Sequence, residues 1–186
     1  MQKLVSIIVL IFLLTGFTFS QNEDTEYKMI LGLVNASGNG NIRTVTLLLA
    51  LGAKVNARLK NGVTAIIAAS LTGHAKIVQL LIEKGADVNA GFGNGTNSLM
   101  LASKQGHTEI VKLLLSNGAN VNAKTEEGEN SLMAAALKGH IEIVKLLIEK
   151  GADVNARTNN GWTALIIASR GQNTELINIL KAAGAR

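Results

Sequence analysis

Apolar residues along this chain fall in short clusters that return at a fixed interval. Ile77, Leu80 and Leu81 lie at i, i+3 and i+4, which places one apolar stripe along a helix. Ile110, Leu113 and Leu114 repeat the stripe 33 residues later, and Ile143, Leu146 and Leu147 repeat it again. An earlier apolar run in each unit carries small residues (Ala68/Ala69, Ala102/Ser103, Ala134/Ala135), so this first helix can approach its neighbours closely. Val-Asn-Ala segments then supply extended arms, and Asn61-Gly62, Asn94-Gly95 and Asn160-Gly161 signal tight turns. The pattern predicts a helix, a turn, a helix and an extended finger, repeated. Three glycine series keep the same step: Gly52/85/118/151/184, Gly62/95/128/161 and Gly40/73/106/139. The first series follows the last turn of the second helix, where a left-handed residue costs glycine least.

A step of this length means stacked copies of one small unit. Three full copies run Asn61–Ala90, Asn94–Ala123 and Glu127–Ala156. A degenerate copy (Leu31–Ala57) precedes them and a shortened one (Asn160–Arg186) follows. One unit cannot bury its own stripe, although a fully buried Leu or Ile contributes ~1.5–3 kcal/mol. Stacking supplies the missing partners.

The recurring segments GH-x-EIVKLL and GADVNA resemble the ankyrin repeat family over roughly residues 28–186. The resemblance implies an all-α repeat fold, an ankyrin-type solenoid of helix–turn–helix units with β-hairpin fingers. It divides the chain into a leading repeat (about 28–57), repeats at 58–90, 91–123 and 124–156, and a closing repeat at 157–186. The family's Thr-Pro-Leu-His stretch is altered here to Thr64-Ala65-Ile66-Ile67, Asn97-Ser98-Leu99-Met100, Asn130-Ser131-Leu132-Met133 and Thr163-Ala164-Leu165-Ile166. Without that histidine, the hydrogen-bond ladder between first helices should thin, with apolar contacts in its place. Polar changes in the end copies (Asn41, and Gln172-Asn173 for Gly-His) predict outer faces that meet water.

Ahead of the repeats, residues 1–20 read as an export signal, with residues 21–27 as a short linker. Lys3 supplies the charge, Leu4 to Leu14 is apolar apart from Ser6, and Thr18 and Ser20 precede a cut before Gln21. The apolar run is shorter than the ~20 residues of a membrane span, so no span is expected after cleavage. A retained signal anchor is the alternative. The expected location is periplasmic or secreted. Losing Lys3 takes the net charge from +5 to +5 − 1 = +4, spread along the chain without a Lys/Arg run. With aromatics at 3%, little is available for stacking on bases, and nucleic-acid binding is not expected. Cysteine is absent, which removes disulfides, thiolate metal sites and thiol nucleophiles.

Candidate chemistry dissolves into the repeat. His74, His107 and His140 hold one position in successive copies. Packed helices lie ~8–10 Å apart, whereas two zinc ligands must come within about 4.2 Å of each other. Local polar contacts around the turn and the start of the second helix are expected instead. Gly91-Phe92-Gly93-Asn94-Gly95 lacks the strand–loop–helix setting and the following Lys-Ser/Thr of a phosphate loop. No serine, histidine and acid combine into a nucleophile with a paired base, so no catalytic residue, cofactor or metal is assigned.

What varies while the scaffold stays fixed is the candidate site. In the fingers these positions are Lys60, Val63, Phe92, Thr96, Glu126, Glu127, Glu129 and Trp162. At the ends of the first helices they are Leu71, Lys104, Leu137, Lys138 and Arg170. The family resemblance implies that finger tips and the concave first-helix surface bind another protein. Aromatic anchors are over-represented at binding hot spots, and the sequence has one tryptophan; the competing role for Trp162 is packing on its own finger. The expected protein is an exported, monomeric, non-enzymatic interaction module. The alternatives are a structural accessory of a bacterial envelope complex and, more remotely, a small hydrolase on a solenoid.

Overall fold

The computed structural model describes residues 23–186, and the expected signal at residues 1–20 lies outside them. Ten helices are present among the described residues. Five first helices are α1 (Glu23–Gly38), α3 (Ala65–Thr72), α5 (Ser98–Gln105), α7 (Ser131–Lys138) and α9 (Ala164–Arg170). Five second helices are α2 (Ile42–Ala50), α4 (Ala75–Glu83), α6 (Thr108–Ser116), α8 (Ile141–Glu149) and α10 (Thr174–Ala182). Residues 23–27, expected as linker, form the first turns of α1. Two tethers hold them: Glu26 pairs with Lys54 at 2.7 Å, and Lys60 Nζ stands 5.8 Å from the Tyr27 ring centre.

First helices pack on one another more extensively than second helices do. The cause lies in the small residues between them: Ala36, Ala69, Ala102, Ala135 and Ala168 are all buried in one row. The core proper is Ile77, Val78 and Leu81 with their counterparts Ile110/Val111/Leu114 and Ile143/Val144/Leu147, closed by Leu176 and Leu180. Leu80, Leu113 and Leu146 are half-buried. Leu47 stands in the same register of the leading copy and is 45% exposed, beside Leu51 at 49%. The leading copy therefore exposes leucine beside polar residues such as Asn41, Arg43 and Thr46, because no described unit stands before α2 to cover that register.

Only one finger forms a two-stranded hairpin among the described residues: β1 (Gly91–Phe92) pairs antiparallel with β2 (Thr96–Asn97). The other three are turns closed by two backbone bonds each: Leu59 N to Val63 O with Gly62 N to Leu59 O, Thr125 N to Glu129 O with Gly128 N to Thr125 O, and Thr158 N to Trp162 O with Gly161 N to Thr158 O. All three glycine series carry positive φ, from +72° to +93°. The 33-residue step is thus a step in backbone handedness. In the last copy Gln172 takes the left-handed position at φ +52°.

Besides finger-to-finger bonds such as Glu126 N–H to the Asn94 carbonyl (2.8 Å) and Asn159 N–H to the Glu127 carbonyl (2.9 Å), hydrogen bonds between units run along two lines that the altered Thr-Pro-Leu-His stretch does not supply. Each histidine donates from Nε2 to a carbonyl at the end of the preceding first helix: His74 to Gly38 (3.1 Å), His107 to Leu71 (3.2 Å) and His140 to Lys104 (3.1 Å). A carbonyl only accepts, so Nε2 carries the proton. These contacts reach between units, beyond the local turn contacts expected from the sequence. Asparagine forms the second line. Asn89 Nδ2 donates to the Gly118 carbonyl (3.1 Å) while its Oδ1 accepts from Asn120 N–H (2.8 Å). Asn56, Asn122 and Asn155 repeat this two-point clasp. Between first helices, by contrast, the buried hydroxyls of Ser37, Ser70 and Ser103 have no side-chain bond.

Candidate functional site

Finger and first helix meet at an angle in every unit, and near the C-terminal end the space between them opens into a groove of about 830 Å3. Its helix side is built from the last turns of α5, α7 and α9, which present Lys104, Leu137, Lys138 and Arg170. Its finger side carries Glu127, Glu129, Thr158, Asn160 and Trp162. Met133, Ala134, Ile167 and Ala168 form the floor. The local folding explains the placement. Asn130 caps α7 by accepting from Met133 N–H at 2.9 Å, and Thr163 caps α9 by accepting from Ile166 N–H at 3.2 Å. Each cap fixes where the finger arm enters its helix.

Trp162 closes one end. Its N–H donates to Thr158 Oγ1 (3.1 Å), which locks the residue in the turn. The Arg170 guanidinium lies 4.2 Å from the ring centre, so the ring stands between finger and helix end. Such contacts contribute about 0.5–1 kcal/mol at exposed sites. Trp162 thus packs within its own unit and also forms a groove wall. Leu137 is the most exposed large apolar side chain described, at 61%. Nothing in its own unit accounts for that exposure.

The electrostatics of the two faces differ. On the second helices, Lys112 pairs with Glu142 at 3.3 Å and Lys145 with Glu175 at 3.7 Å, joining successive units. In the groove, Lys104, Lys138 and Glu129 make no ion pair among the described residues. Glu127 uses one carboxylate oxygen to accept from Asn94 Nδ2 at 2.8 Å.

Of the residues expected from the sequence, Lys104, Glu127, Glu129, Leu137, Lys138, Trp162 and Arg170 are brought together here. Lys60, Val63, Leu71, Phe92, Thr96 and Glu126 lie outside the groove. Lys60 faces Tyr27, and Thr96 Oγ1 donates to Asn94 Oδ1 at 2.7 Å. Phe92 serves the stack: a Cβ on Gly62 would stand 3.2 Å from the Phe92 Cβ, so the two fingers already touch. Leu71 is exposed on the row it shares with Lys104, Leu137 and Arg170. The floor residue Ile167 was not among the expected positions. Its register reads Ala68, Leu101, Ala134, Ile167, and that variation is the signal that marks it.

The groove has neither a nucleophile paired with a base nor converging histidines, since each histidine is committed to its neighbour's carbonyl. Apolar floor, one aromatic wall and charged rims suit recognition of a side-chain-bearing surface. Among the described residues no helix is long and apolar enough to cross a membrane. Comparison with family models matches ankyrin repeats (3 copies) over residues 33–125 and 99–186. Comparison with curated proteins finds no match.

Proposed function

Because the chain belongs to the ankyrin repeat family, whose repeats are generally protein–protein interaction modules, we propose that it captures a segment of another protein in the groove between its last two fingers and the ends of α5, α7 and α9. The observation that carries this reading is Leu137, 61% exposed beside Lys104, Lys138 and Glu129, which form no ion pair among the described residues. A side chain of that size left in water gains from being covered, by about 25 cal/mol per Å2 of apolar surface. Trp162 and Arg170 then act as a preorganised wall, and Lys104, Lys138, Glu127 and Glu129 select what enters. Val63 and Leu71 extend the surface along the fingers and inner helices toward the leading end. The protein acts without catalysing a reaction.

Residues 1–20 are removed as a signal, and the repeat domain works as a monomer in the periplasm or outside the cell. The Leu4–Leu14 stretch supports this. Intact-mass measurement of protein recovered from a producing cell should give a chain starting at Gln21. A membrane-bound chain retaining Met1–Ser20 would overturn export by cleavage. For the groove, Leu137→Ala and Trp162→Ala should each weaken capture of the native partner tenfold or more, in line with the ~2 kcal/mol typical of hot spots. Helical content should stay unchanged. Undiminished capture by the double variant would remove the groove from consideration.

A further inference from the structure

Resting on the reading of the groove as a protein-binding site, we propose that its occupant is a short amphipathic helix with acidic side chains along one flank of its apolar stripe and basic side chains along the other. The two rims of the groove have opposite sign. Lys104, Lys138 and Arg170 stand on the helix side, and Glu127 and Glu129 on the finger side, with Leu137 exposed among them. On the second helices, charges at comparable density pair across units. Across the groove no ion pair forms among the described residues.

The helix C-termini account for part of this, since a cation in the last turn is favoured by the dipole. They account neither for the acids on the facing fingers nor for the bare leucine. An occupant that satisfies both rims must present acids toward Lys104 and Lys138, bases toward Glu127 and Glu129, and apolar groups toward Leu137. On a helix, stripes separated by about 100° per residue provide this arrangement. The acidic finger rim turns away a polyanion such as nucleic acid.

The groove also discriminates between helix and extended chain. Its walls are side chains, and the backbone of α7 and α9 beneath them is already hydrogen-bonded. An extended segment lying there would leave its own N–H and C=O groups unpaired against Leu137 and Ile167, whereas a helix satisfies them internally.

The test is a displayed library of helical peptides with a fixed apolar stripe and random flanks, selected on the whole protein. Affinities are read from the emission of Trp162, the single tryptophan. Selected peptides should carry Asp or Glu on one flank and Lys or Arg on the other. Exchanging the flanks, or reversing the rim with K104E/K138E, should weaken binding roughly tenfold or more, because like charges are then juxtaposed. Leu137→Ala should weaken every selected peptide while far-UV circular dichroism stays the same. Peptides that depend on Leu137 but show no sorting of charge would overturn the two-flank assignment and leave protein binding in the groove intact. Peptides indifferent to both Leu137→Ala and K104E/K138E, or no binders at all, would overturn the groove itself. Groove-dependent binders arising only from a proline-interrupted extended library would overturn the helical occupant.

Discussion

Gly73 and Gly85 end the two helices of one unit with nearly the same backbone, φ +87° and +82°, yet alanine should not be tolerated equally at the two. A Cβ on Gly85 meets nothing within 4 Å. Its cost is the left-handed conformation, ~1–2 kcal/mol, less ~0.4–1 kcal/mol regained by restricting the unfolded chain. A net loss of about 1 kcal/mol follows for Gly85→Ala. A Cβ on Gly73 would fall 2.7 Å from His107 Cε1 and 3.0 Å from Nδ1, so the ring must move. The His107 bond to the Leu71 carbonyl then breaks, adding ~0.5–1.5 kcal/mol. With ~2–4 °C per kcal/mol for a chain of this size, Gly85→Ala should lower Tm by about 3 °C and Gly73→Ala by about 6 °C. The assay is thermal unfolding followed by circular dichroism, repeated in a His107→Ala background. There the gap between the two glycine variants should close, since the clashing ring is gone. Equal Tm values in the parent background, or a gap that survives His107→Ala, would refute a histidine ladder between units.

Other substitutions probe the remaining features. Asn122→Ala removes both points of one clasp, to Gly151 and Asp153; at this exposed site it should cost about 1–2 kcal/mol, measured by urea unfolding. Leu114→Ala empties a fully buried position in the middle of the stack and should cost about 2–5 kcal/mol, seen in the same titration. Gln172→Gly relieves the one described non-glycine residue at positive φ and should raise stability by up to about 1 kcal/mol; a loss would mean that Gln172 is held there by contacts worth more than the strain. Arg170→Ala uncovers the Trp162 ring, so its emission should shift to longer wavelength with less than about 1 kcal/mol lost.

Repetition made the fold legible. A stripe such as Ile110/Leu113/Leu114 states a helix, its 33-residue return states a stack, and the glycine series state the left-handed turns between. The burial order within the stripe was less legible. Val78, Val111 and Val144 are fully buried while Leu80, Leu113 and Leu146 are only half covered, because the latter register faces the preceding unit. That same dependence on a neighbour leaves Leu47 bare at the leading end, which no local pattern in α2 could state. The asparagine clasp was hidden for another reason. Asn89 in Val-Asn-Ala reads as a strand or turn residue, and its partners at Gly118 and Asn120 become visible only when units are stacked.

For the candidate site, variation between copies marked thirteen positions, of which the stack brings seven to one groove. Trp162, Arg170, Leu137 and Glu129 converge because their registers face one another across finger and helix. Phe92 varies equally, yet it spends its side chain against the Gly62 turn. Variation identifies a position freed from the repeat, while stacking geometry decides whether that position faces a partner or a neighbouring unit.

The central claim is that a protein segment lies against Leu137. A photo-crosslinking side chain placed at residue 137, and separately at Lys112 on the opposite face, tests it in the organism that makes the protein. A discrete covalent adduct is expected from position 137, lost when Trp162→Ala is added, and none from position 112. An adduct from 112 alone, or one at 137 that Trp162→Ala leaves unchanged, would contradict it.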